Sequence, residues 1–148
     1  MKVSGIIKAL EVSISPSTSA YHANDVIGGL LELDNVPSAS GGLLIQAISL
    51  VDDDNEGAEL TVHIFDRKPS VIADHAAFTP SFADLQKRVS KVSIASTDYE
   101  TINSLKIVDK DDVNDLAGNT QLWLYLVCVG TPTYTANTSI FVRLFVTD

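Results

Sequence analysis

Residues 41–65, GGLLIQAISLVDDDNEGAELTVHIF, constrain the fold of this chain more than any other stretch. Two arms show a period of two. In the first, Leu44, Gln46, Ile48 and Leu50 alternate with Leu43, Ile45, Ala47 and Ser49; in the second, Leu60, Val62 and Ile64 alternate with Thr61, His63 and Phe65. Successive side chains of an extended strand point to opposite faces, so this pattern predicts a half-buried antiparallel pair. Between the arms lie Asp52, Asp53, Asp54, Asn55, Glu56 and Gly57. Carboxylates resist burial, so this turn is expected to face water or a cation.

The rest of the chain repeats the pattern in shorter pieces. A first strand is expected within residues 2–14, clearest at Leu10, Val12 and Ile14, and a second from Val26 to Leu33. Gly28-Gly29 marks a bulge or close backbone approach inside the second. Ser- and Pro-rich residues 15–25 and 34–42 read as connections, and Val71-Ile72 as a short extended segment. The one helix expected spans Ser81 to Arg88, with Ser81 as cap and Asp84 completing a capping box. Its Phe82, Leu85 and Val89 share a face that should lean on the sheet. Further strands are expected from Lys91 to Thr97 and from Ile102 to Val108, the latter with Leu105 and Ile107 inward. Residues 110–120 read as a polar loop. Gln121 to Val129 is apolar on both faces, as in a central strand covered on both sides; residues 130–139 turn the chain, and Ile140 to Thr147 returns as a further strand. Strands at this spacing indicate one all-β domain over residues 1–148, an antiparallel β-sandwich of jelly-roll type with one short helix. An immunoglobulin-like order is the alternative, though its Cys…Trp…Cys spacing is absent.

At 148 residues the chain can bury a core without a disulfide or metal, and its single cysteine, Cys128, lies in an apolar strand as an inert thiol. The net charge of −9 opposes binding to nucleic-acid backbones and anionic membranes. Lys87, Arg88 and Lys91 form the one basic cluster, read as a solvated face. No apolar run is long enough for a transmembrane helix, and Lys8 and Glu11 interrupt the early apolar run, so no signal peptide is expected.

Motifs that carry chemistry are scarce. Asp52, Asp54 and Glu56 ahead of Gly57 look like the front of a calcium loop, but position twelve is His63 rather than a bidentate glutamate. They are a candidate for a weak cation site, against the reading of a solvated hairpin tip. His22, His63 and His75 are the candidate bases near neutral pH, the first and last beside Asp25 and Asp74. No nucleophile elbow, zinc spacing or phosphate loop accompanies them, so no catalytic residue, cofactor or enzymatic activity is expected. Tyr21, Trp123, Tyr125 and Tyr134 could form a sugar-binding platform; core or intersubunit contact is the other reading. Consecutive Leu122, Trp123, Leu124, Tyr125, Leu126 and Val127 exceed what a small sandwich is expected to bury, which predicts an exposed patch and a partner. Trp123, Tyr125 and Tyr134 are therefore the interface candidates.

Four segments together resemble a family of small tailed-bacteriophage virion proteins: AYHANDVIGGLLELDNV (20–36), GGLLIQAISLVDDDNEGAELTVHIFDRKPSVIADHAAF (41–78), SFADLQKRVSKVSI (81–94) and LWLYLVCVGTPTYTANTSIFVRLFVTD (122–148). The resemblance implies a non-enzymatic head decoration, or cement, protein with a jelly-roll fold. It further implies a homotrimer made in the host cytoplasm that binds the major capsid protein of the assembled shell on the virion surface. No catalytic residues are implied.

Overall fold

The computed structural model describes residues 8–33 and 41–147. In chain order these form β1 (Lys8–Ile14), β2 (Val26–Glu32), β3 (Leu43–Asp52), β4 (Leu60–Phe65), α1 (Phe82–Leu85) and β5 (Arg88–Ile94). There follow a 3₁₀ turn (Ser96–Asp98), β6 (Glu100–Ile102), β7 (Leu105–Lys110), β8 (Asp115–Ala117), β9 (Trp123–Cys128) and β10 (Ile140–Thr147). Expected strand residues 2–7 and turn residues 34–40 lie outside the described residues. Among the described residues no helix is long and apolar enough to cross a membrane.

Both arms of the 41–65 stretch are strands, but they do not pair with each other. β3 belongs to a sheet ordered β1-β10-β3-β7-β6, with β8 also on β3, while β4 belongs to a second sheet ordered β2-β9-β4-β5. The acidic turn thus crosses from one layer to the other instead of closing a hairpin. Counting only the eight longer strands from first to eighth, the sheets read 1-8-3-6 and 2-7-4-5. This is jelly-roll order, and it excludes the immunoglobulin-like alternative.

The core lies between the layers. Val12, Val142, Leu50 and Val108 stand in register across one sheet. Ile27, Leu126, Val62 and Val92 do so across the other. All but Val12 among these are buried. A bulge opposite Phe145 and Val146 leaves Gln46 as the extra residue of β3. Leu43 and Ile45 therefore point inward together with Ile48 and Leu50, although the two pairs are out of phase in the sequence. Gly28 and Gly29, at φ of 80° and 74°, form the expected irregularity in β2, where the pairing register jumps from Ile27 to Leu31.

Several local expectations change. α1 is a single turn ending at Leu85, and Arg88 already begins β5. Ser81 does cap it, its Oγ accepting from the Asp84 N–H at 3.1 Å. However, Phe82 and Leu85 are exposed and Asp84 is the buried member, because the turn is held by polar contacts and not by an apolar face. Residues 102–108 are not one strand: Asn103 and Ser104, at φ of 51° and 63°, turn β6 back onto β7. In β7 the inward residue is Val108, opposite Leu50; Leu105 and Ile107 have the other phase and are half-buried. The polar loop contains β8, paired to β3 through Leu43↔Ala117. Val71 and Ile72 lie in no strand.

Candidate functional site

The acidic turn is built on Asp52, which is 2% exposed and is not the solvated or cation-facing residue expected. Its Oδ1 accepts from the Asp54 N–H at 2.9 Å and its Oδ2 from the Gly57 N–H at 3.0 Å. The side chain thereby supplies the hydrogen bonds that the chain loses as it leaves one sheet for the other. Burial raises the Asp52 pKa, against the lowering effect of those N–H donors. Gly57 has φ of 59° and lies against the Lys106 stem, so both its conformation and its lack of a Cβ serve the crossing. Asp54 uses Oδ2 to accept from the Thr135 N–H at 2.9 Å, and Glu56 is exposed. Among the described residues no three His, Cys, Asp or Glu side chains gather as metal ligands. The three candidate carboxylates serve three separate environments.

The expected apolar surplus of β9 is covered by the chain itself. Leu124, Leu126 and Cys128 face the core, while Tyr125 and Val127 face outward into a second cluster with Val26, Phe65 and Phe78. Segment 66–80 lies over that outer face. The Tyr125 hydroxyl donates to the Ser70 carbonyl at 2.5 Å and accepts from the Ile72 N–H at 2.9 Å. Phe78 stands edge-on to Tyr125 with centroids 5.5 Å apart, and its N–H donates to the Asn24 carbonyl at 2.8 Å. Tyr125 is 1% exposed and Tyr134 2%, so neither is available as an interface residue; of the three candidates, Trp123 alone keeps partial exposure. Tyr21 is also buried, stacked on His75 at 3.9 Å with its hydroxyl donating to Asp74 at 2.9 Å. The four aromatics form no platform.

The candidate bases are dispersed. His22 is exposed, 3.5 Å from Asp25. His63 stacks on Phe78 at 4.4 Å and meets Arg88 at 3.1 Å. Burial, then the charges of Arg88 and Lys91, push its imidazole down to about 4. A proton-poor histidine between cations is a poor general base near neutral pH. Burial pushes the Cys128 thiol up to about 12, in keeping with an inert sulfur.

One surface feature escaped the sequence. Arg67 and Lys68 follow β4, and Lys87 and Arg88 stand where β5 begins, so antiparallel pairing unites the two basic pairs. Arg67 donates to the Gln86 carbonyl at 2.9 Å and Lys87 to the Lys68 carbonyl at 3.2 Å. Beneath them the Asp84 carboxylate accepts from the Ser70 N–H at 2.9 Å and hydroxyl at 3.2 Å, and from Lys87 at 3.3 Å. The Ser70 N–H chiefly holds the Asp84 carboxyl well below the usual range. This polar clasp projects Phe82 outward, 81% exposed; Leu85 and Val71 are exposed as well. Basic residues flanking adjacent antiparallel strands were the available signal.

No protein-family model matches the chain, and no curated protein matches it in sequence. Among solved structures it is similar to tomato aspermy virus, at 8% identity over 100% of this chain and 80% of that one, with a TM-score of 0.43. It is also similar to the acid-stable capsid of Helicobacter pylori bacteriophage KHP30, at 12% identity over 97% and 88% of the two chains, with a TM-score of 0.34. A marine algae virus of the order Picornavirales aligns at 9% identity over 95% and 66%, with a TM-score of 0.28. Likenesses this distant carry no argument; the jelly-roll assignment stands on strand order.

Proposed function

We propose that the chain is a non-enzymatic structural protein of a virion, a decoration protein on the outside of a tailed-bacteriophage head. The observation that supports this reading is jelly-roll strand order in a chain whose four quoted segments resemble small virion proteins. Jelly rolls host many functions, so fold alone would not select this one. The partner is the major capsid protein of the assembled shell, and the mechanism is added buried area across joints between capsid subunits. Three-fold self-association rests on the resemblance and on the symmetry of such joints, since β9 no longer supplies an exposed patch. A carbohydrate- or receptor-binding module of a fibre would draw on Tyr21, Trp123, Tyr125 and Tyr134; with Tyr21, Tyr125 and Tyr134 buried, no observation favours it. Co-sedimentation with undecorated heads of the phage that encodes the chain is the test. Saturable binding to heads, absent with unassembled capsid protein, is expected; no binding to either would sink the reading.

A further inference from the structure

The two ends of β4 carry complementary surfaces. Beyond its last residue, Phe65, the exposed Arg67, Lys68 and Arg88 gather at the same end of the sheet as the turn that carries Phe82. Phe82 is presented on a turn fixed by the Ser81 cap and the Asp84 clasp, so an exposed aromatic is held in one place. Rigid aromatic anchors lose little entropy on docking and dominate interfaces. Before the first residue of β4, Leu60, lies an open hollow of about 240 Å³ lined by Ala58, Ser96, Thr131 and the buried Pro132 together with the exposed Glu56 and Glu59. Knob and hollow thus match in charge: an exposed aromatic at the basic end of β4, and a hollow carrying two exposed glutamates at the other. Five strand steps, about 17 Å, separate them, so a molecule cannot seat its own Phe82.

We infer that copies of this chain associate head to tail, Phe82 of one seated in the Glu56–Glu59 hollow of the next. This rests on the self-association proposed above and deepens it, naming the contact. Such a contact is heterologous, and it closes into a ring when the rotation between neighbours permits, three-fold in the proposed trimer. Opposite charge at the rims aligns the encounter and disfavours knob-to-knob pairing.

Light scattering on the full chain, without capsids, tests it. The unmodified chain is expected as a closed oligomer, and Phe82→Asp and Glu59→Arg each as monomers with unchanged circular dichroism. Mixed in equal amounts, the two variants keep one good knob and one good hollow between them. They are expected to form a dimer and nothing larger. If Phe82→Asp disturbs the fold, Phe82→Ser carries the same expectation. A monomeric unmodified chain, or an oligomer that Phe82→Asp or Phe82→Ser leaves intact, overturns the inference. If Phe82→Asp keeps its oligomer but no longer co-sediments with heads, the knob docks on the capsid; the head-to-tail contact falls and the virion reading stands. Self-association lost in both variants, with an unmodified chain that ignores heads, upholds the contact and removes the virion reading.

Discussion

The outer faces of the two sheets are finished in opposite ways. On the β2-β9-β4-β5 sheet, segment 66–80 closes over Phe65, Tyr125 and Val127, and Tyr125 is pinned through its hydroxyl. On the other sheet, β10 turns Phe141, Arg143 and Phe145 outward, all half-buried. Arg143 bonds Glu11 on β1 at 2.9 Å and lies 5.2 Å and 6.0 Å from the two ring centroids. The covered face is apolar and sealed by the chain's own loop; the open one laces its aromatics to a cation whose head stays in water. A strand apolar on both faces therefore called for a lid, and the lid came from a distant segment, with contacts 53 and 55 residues apart in the chain.

Four substitutions sharpen or break this contrast, from the largest effect to the smallest. Tyr125→Ala removes a buried ring and both hydroxyl contacts of segment 66–80, and is expected to cost about 3–5 kcal/mol in urea unfolding. It should also open residues 69–80 to protease; a loss under about 1 kcal/mol would show that the segment does not seal the face. Asp52→Ala strips two N–H groups of their acceptor where the chain crosses between sheets, at an expected cost of about 2 kcal/mol by the same measurement. Part of the nominal value is offset because burial disfavours the Asp52 charge.

His63 reports on the covered face by pH. Its folded pKa of about 4 lies below the ordinary 6.5, so the unfolded chain takes the proton first. Stability from this group is whole above pH 6.5 and declines as pH falls toward 4. After discounting for the ring's partial exposure, about 1 kcal/mol should be lost. His63→Gln should flatten that part of the urea midpoint's pH profile; an unchanged slope would mean the ring is freely solvated. Phe145→Ala, on the open face, should cost about 0.5 kcal/mol or less. A loss matching Tyr125→Ala would erase the distinction between the faces.

Sequence by itself determined the strands and their inward residues wherever one face was plainly apolar: Leu10, Val62, Ile64, Val92 and Ile94 are all buried. It also marked the Gly28-Gly29 irregularity and the Ser81 cap. Period two is a local property, so it survives in the sequence whatever the strand pairs with. Pairing is not local. Nothing in Asp52–Gly57 distinguishes a hairpin turn from a crossing between layers, because that choice depends on β10 and β7 taking the flanks of β3 while β9 and β5 take those of β4. The Gln46 bulge reversed the phase within β3 for the same reason, its partner being almost 100 residues away. Burial of Tyr125 and exposure of Phe82 were likewise tertiary decisions. Each depends on where segment 66–80 lands: its carbonyl and N–H groups needed partners, and Tyr125 and Asp84 supplied them.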